Sequence, residues 1–264
     1  MAIKLICALI LILARVQQFV GNLTKIIFIL HFKLFPNKRF VIPKEAPPLL
    51  FFKHKGAITP ILWQTNYTNN VTLSVYVNYL WNRMMAAGHS YRFFDDTDCV
   101  EYISHHFPGA ELQAYNKLNV GAAKADFWRV LALLKEGGVY LDLDAALCWP
   151  PSFFTRKSER EILLKMPDGR ITNYCFASAA GNPLLKEISF QIQKNIKENI
   201  IDNVFDMTGP GVFHQIGDRK EYNIVSSRLV SRQGQFTNKT LQYPQNRERF
   251  WVIEQREKNI VNHD

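Results

Sequence analysis

Apolar residues recur at spacings of three and four along the start of the chain: Leu5, Leu9, Ile12, Leu13, Val16, Phe19, Leu23, Ile26, Ile27, Leu30 and Leu34. That period predicts one long helix, which Phe35-Pro36-Asn37 ends. In projection, Lys4, Arg15, Gln18, Asn22, Lys25 and Lys33 gather in a stripe about a quarter turn wide, interrupted by Leu11 and Ile29. Residues 1–40 therefore read as an amphipathic, membrane-associating helix. A helix docked on the protein's own body would show the same period, and Arg15 and Lys25 oppose a tilted single span. Pro43, Pro47 and Pro48 mark residues 41–57 as a linker.

From residue 58 the period alternates between that of strands and that of helices. Residues 58–64 read as a buried strand, 72–87 as a helix stopped by Gly88, 91–94 as a short strand, and 95–107 as a helix opened by acids. A nearly all-apolar helix over 122–136 meets Gly137-Gly138, and 139–143 is a second buried strand ending at Asp144. Further on, 171–178 reads as a strand, 183–199 as a helix with Pro at its start, and Thr208-Gly209-Pro210-Gly211 as a loop. Strands alternating with helices predict an α/β domain over 58–264 with a mostly parallel sheet.

Composition changes this picture little: 47% hydrophobic residues are ample for a core of this size. The net charge of +9 points to anionic partners. No zinc-finger spacing, RNP-like strand or Lys/Arg run accompanies it, so nucleic acid is not the expected partner. Cys7, Cys99, Cys148 and Cys175 are scattered without a C-x-x-C pair and read as reduced thiols, which favours a cytosol-facing domain.

The chemistry is expected at Asp142-Leu143-Asp144. In extended chain, residues i and i+2 share a face about 7 Å apart, so both carboxylates can address one hard cation, Mn²⁺ or Mg²⁺, bridged to a diphosphate. A bare D-x-D is weak, because eleven Asp give roughly half a chance match. Asp96-Thr97-Asp98 is a second one, explained by helix capping beside Asp95. Asp142 and Asp144 have no such excuse: they follow Val139-Tyr140-Leu141 and would repel each other without a cation.

The block from Ala123 through Asp126, Arg129 and Gly137-Gly138 to Asp144 resembles the D-x-D glycosyltransferases of the sugar-binding-region family, including bacterial capsule and lipopolysaccharide sugar transferases. Further motifs follow in the family's order over residues 58–215: Ile58-Thr-Pro-Ile-Leu-Trp-Gln64, with Trp63 where the family has His; Phe93-Phe94-Asp95-Asp96; Asn173 to Pro183; and Thr208-Gly209-Pro210. The resemblance implies a GT-A-like fold and a nucleotide-sugar donor held with Mn²⁺ or Mg²⁺. It also implies hexose transfer, with retained anomeric configuration, to a glycan or lipid-linked glycan acceptor. Asp142 and Asp144 are then the catalytic metal clamp, and Trp63, Gln64, Asp126, Arg129, Asn173, Thr208 and Gly209 the expected donor contacts. The expected setting is surface-glycan synthesis at the cytoplasmic face of a bacterial inner membrane, with a Golgi-type single-span anchor as the other arrangement. A non-catalytic glycan- or nucleotide-binding member of the same fold is the competing reading.

Overall fold

The computed structural model describes residues 2–51, 53–155, 159–217, 222–243 and 250–262. Helix α1 (Ala2–Leu34) leads into two short strands, β1 (Phe40–Val41) and β2 (Glu45–Ala46). Then come β3 (Ile61–Thr65), β4 (Asn70–Val71), α2 (Leu73–Met85), β5 (Ser90–Phe94), α3 (Asp96–His106), α4 (Ala110–Lys117) and α5 (Gly121–Glu136). Strands β6 (Gly138–Leu141), β7 (Ala145–Leu147), β8 (Glu161–Lys165) and β9 (Ile171–Ser178) follow, then α6 (Pro183–Glu198), α7 (Val204–Met207) and α8 (Pro210–Gly217). The described chain closes with β10 (Ile224–Ser226), α9 (Ser227–Val230), β11 (Ser231–Gln233), α10 (Lys239–Gln242) and α11 (Trp251–Glu257).

The central sheet has the order β10-β8-β9-β6-β3-β5-β2. Tracing its pairings, β10, β8, β6, β3 and β5 point one way, and only β9 and β2 run against them. The sheet is therefore mostly parallel and flanked by helices, as the alternating pattern predicts. Its pleat divides the core into two layers. Trp63, Tyr140, Leu163 and Phe176 face the layer that contains α5 and α6 residues. Their neighbours Leu62, Val139, Leu141, Leu164, Cys175 and Ala177 face the layer that holds Val75 and Tyr79 of α2. This is the period of two expected of strands covered on both sides.

Gly137-Gly138 is a steric requirement. Both glycines have positive φ, 71° and 120°. A Cβ on Gly138 would lie 2.6 Å from Trp63 Nε1, and one on Gly137 would lie 2.8 Å from the Ala180 nitrogen. Only glycine lets α5 turn this sharply into β6 while passing against β3.

Residues 41–57 are more tied down than a linker implies: β1 pairs with β4, and β2 adds to the sheet edge beside β5. Strand β6 stops at Leu141, two residues early, because the chain turns back through Asp142–Ala145. The expected loop at Thr208–Gly211 is only a short turn, since α8 begins at Pro210.

Asp95 is the N-cap of α3. Its Oδ1 accepts from the Thr97 and Asp98 amides, Asp98 Oδ2 accepts from the Asp95 amide, and Lys44 Nζ pairs with both carboxylates at 3.2 and 2.7 Å. Asp98→Ala removes one half of this box. We expect a loss of about 1 kcal/mol, seen as a melting temperature lowered by roughly 2–4 °C, with catalytic turnover unchanged. A melting curve and a turnover assay on the same preparation check both.

Candidate active site

Arg129 stands one turn after Asp126 on α5, on the side that faces β6 and β9. Its Nη2 lies 3.2 Å from Asp126 Oδ1 and its Nη1 3.2 Å from Asp142 Oδ1. Nη1 also donates to the Asn173 carbonyl at 3.0 Å, Nε donates to the Ala125 carbonyl at 3.1 Å, and the guanidinium lies 4.3 Å from the Tyr140 ring centroid. A second tier holds Asp126: Asn173 Nδ2 donates to its Oδ1 at 2.9 Å and Thr208 Oγ1 to its Oδ2 at 3.4 Å. Gly209 packs close, where a Cβ would come within 3.0 Å of Asp126 Oδ2. A buried ion pair needs such saturation with hydrogen bonds, because its desolvation is costly.

Asp142 and Asp144 lie in a tight turn closed by the Ala145 amide donating to the Asp142 carbonyl at 2.9 Å, not on an extended strand. Asp142 is heavily engaged: Tyr140 Oη donates to its Oδ1 at 2.8 Å, Gln233 Nε2 to its Oδ2 at 3.2 Å, and Arg129 pairs with it. Asp144 differs, because among the described residues no cation lies within ion-pair distance of its carboxylate. Burial, then the charge of Asp142, pushes Asp144 up from the ordinary carboxylate range. Burial also raises Asp142, against the opposing pull of Arg129. In the second tier, burial pushes Asp126 up to about 6 although Arg129 pulls it down.

The turn opens on a cleft whose walls include Asp142, Asp144, Arg129, Tyr67, Tyr243 and Trp251. Tyr67 and Tyr243 stack with ring centroids 6.1 Å apart and planes at 19°. Asp96 lies on the same cleft wall, and Asp98 of the second D-x-D completes the capping box with Asp95. Glu254 of α11, also on the wall, accepts from the Gly121 amide at 3.2 Å and so caps α5, whose own N-cap Val120 offers no side-chain bond.

Of the donor contacts expected from sequence, Arg129 reaches the cleft wall. Trp63 does not: it is fully buried, with its indole N–H donating to the Gly137 carbonyl at 2.9 Å, so it is core and offers no face to a base. Gln64 is buried too and pins the DXD strand, with Nε2 3.3 Å from the Leu141 and Asp142 carbonyls. Asp126, Asn173, Thr208 and Gly209 form the tier behind Arg129. Tyr67, Tyr243, Trp251 and Gln233 escaped sequence reasoning. Tyr67 had a usable signal, an aromatic two residues past the end of β3 where α/β sheets bind ligands. The other three come from distant segments that only folding brings near.

Among the described residues no group of three or more His, Cys, Asp or Glu forms a ready-made metal cage. Two carboxylates with an open position suit Mg²⁺ or Mn²⁺, which keep water and phosphate ligands rather than an all-protein shell. Because the folded-state pKa of Asp144 is raised, the native state binds more protons than the unfolded chain between the two values, and stability falls as pH rises through that window. Asp144→Asn abolishes this penalty. In EDTA its melting temperature should match wild type near pH 4 and exceed it by pH 8. Mn²⁺ at pH 8 should reverse the order by stabilising wild type alone. Melting curves at the two pH values check this.

Residues 61–162 match a family model described as the glycosyltransferase sugar-binding region containing DXD motif. A similar curated protein is the initiation-specific alpha-1,6-mannosyltransferase of Schizosaccharomyces pombe, 26% identical over 204 residues, covering 66% of this chain and 51% of that protein. The chain thus spans about half the length of the curated relative it matches. Among solved structures, the PaToxG glycosyltransferase aligns at 16% identity with a TM-score of 0.44, over 76% of this chain and 79% of that one. The stretch running from β3 through α5 and β6 to the Asp142–Asp144 turn is therefore matched by the sugar-binding region of DXD glycosyltransferases.

Proposed function

We propose that the protein is a metal-dependent glycosyltransferase. It moves a hexose, with retention, from a nucleotide-sugar donor to a glycan or lipid-linked glycan in surface-glycan synthesis. The observation that carries this reading is the asymmetry of the two carboxylates: Asp142 is paired with Arg129, whereas Asp144, on the same cleft wall, has no ion-pair partner among the described residues. Asp144 is thus the carboxylate with a free claim on Mn²⁺ or Mg²⁺, and Asp142 is oriented beside it by Tyr140 and Gln233. When bound, the cation offsets the charge that develops on the departing diphosphate. Arg129 adds a fixed positive charge at the same wall without needing to reorganise, because Asp126 and the Asn173 carbonyl already hold it. The stacked pair Tyr67–Tyr243 offers aromatic faces to a nucleobase. We place the enzyme at a membrane surface through α1, on the cytoplasmic face. Free cysteines at all four positions, three of them buried, support that side.

Asp142→Asn and Asp144→Asn should each lower transfer at least about a hundredfold, since a lost electrostatic stabiliser is worth ~3 kcal/mol at a transition state. EDTA should abolish wild-type turnover, and Mn²⁺ or Mg²⁺ should restore it. The assay is donor turnover over a panel of nucleotide sugars. Full activity in both variants would remove the Asp142–Asp144 turn from the reaction.

A further inference from the structure

Helix α1 has three faces. At 100° per residue, Ile10, Ala14, Gln17, Gly21 and Phe28 fall in one sector, and this sector is docked on the body. Ile10 and Ala14 are fully buried, and a Cβ on Gly21 would lie 2.5 Å from the Gln235 carbonyl. Gln17 Nε2 donates to the Cys148 carbonyl at 3.3 Å, and just beside the sector Gln18 Oε1 accepts from Arg232 Nη1. The next sector carries Arg15, Asn22 and Lys33. The third, about 140° wide, holds Leu5, Ile12, Phe19, Leu23, Ile26 and Leu30, which remain 51–73% exposed although the helix is docked. Ile12, Phe19 and Ile26 lie directly opposite the docked face.

From these faces we infer that α1 lies in the plane of an anionic bilayer while still attached to the body, rather than crossing it. The apolar sector would be immersed, and the basic sector would lie among the head groups. Charge selects this occupant: residues 1–44 contain seven Lys or Arg and no Asp or Glu. Two copies of such a face would repel each other, whereas anionic lipid is attracted by about 1 kcal/mol per cation near the surface. A spanning helix would have to abandon the contacts at Gly21, Gln17 and Gln18 and carry Arg15, Asn22 and Lys25 into hydrocarbon.

The surface extends beyond α1. On α2, Leu73, Val77 and Trp81 pack with Phe28 and Phe32 of α1. The same stripe of α2 continues to Leu80 and Met84, 46% and 56% exposed. Beside Met84, the Leu50 amide donates to the Ala87 carbonyl at 2.9 Å, and Leu49–Phe51 is 52–86% exposed just before Lys53 and Lys55.

The docked face also touches the catalytic region from behind. Gln235, against Gly21, is two residues from Gln233, the partner of Asp142, and Cys148, bonded by Gln17, follows β7, which starts directly after Asp144. A helix diameter of roughly 10 Å then separates lipid from the strands that carry the site. The acceptor class this height serves is a glycan carried on a membrane lipid, a step that rests on the transferase reading above.

The test uses full-length protein with a Cys7→Ser change and sealed vesicles of phosphatidylcholine, alone or mixed with phosphatidylglycerol. Sedimentation should favour the anionic vesicles at least about tenfold at low salt and weaken in high salt. Ile12→Glu/Phe19→Glu/Ile26→Glu should release the protein while its melting temperature and donor hydrolysis in solution stay unchanged; Phe19→Glu alone is the milder variant should the triple one misfold. A Gln18→Cys/Arg232→Cys pair should be joined by a short bifunctional thiol reagent equally well on vesicles and in solution. Equal binding to neutral vesicles, retention of the Glu variants, a chain that stays in the supernatant, or a thiol pair that cannot be joined once bound would each overturn the inference. Donor hydrolysis that persists through any of these outcomes would leave the transferase reading standing, and its absence throughout would instead count against that reading.

Discussion

The site depends on one desolvated arrangement, the Arg129 guanidinium held between Asp126 and Asp142. Three charges taken out of water together are tolerable only if nearly every donor and acceptor finds a partner. The partners recruited for this purpose reach across the fold: Asn173 from β9, Thr208 from the turn before α8, and Tyr140 from β6. Fixing Arg129 therefore fixes how α5, β6 and β9 meet. It also leaves the DXD turn with one carboxylate paired to a cation and one that has no ion-pair partner among the described residues. That imbalance is the chemical content of the cleft.

The parts legible in the sequence were those whose physics is local. The buried helix α5, the forced glycine turn and strand β6 follow from hydrophobic period and from positive φ at Gly137 and Gly138. The α3 start could be read from its acids, although the capping residue proves to be Asp95 with Asp98, and Asp96 faces the cleft. Where two readings share one period, the pattern is silent. Trp63 in a strand looks the same whether it is core or a stacking platform, and burial against Trp128 and Tyr102 makes it core. Gln233 reaches Asp142, and Trp251 the cleft wall, only through tertiary contacts, which no local period encodes.

Helix α1 shows the same limit in another form. Its period fits a docked helix and a membrane helix equally; in the structure a small-residue edge with Ala14 and Gly21 docks while the opposite face stays exposed. The glycine that weakens the helix locally is the residue that lets it approach Gln235. Polar contacts at Gln17 and Gln18 then tie it to the strands that carry Gln233 and frame the Asp142–Asp144 turn.

The most direct measurement is an anomalous diffraction map from crystals grown with Mn²⁺ and a nucleoside diphosphate. A manganese peak is expected at a ligand distance of about 2.0–2.3 Å from the Asp144 carboxylate, with the diphosphate beside it and Arg129 still paired to Asp142. A manganese bound elsewhere, or a nucleotide ordered in the cleft with Asp144 untouched, would contradict it.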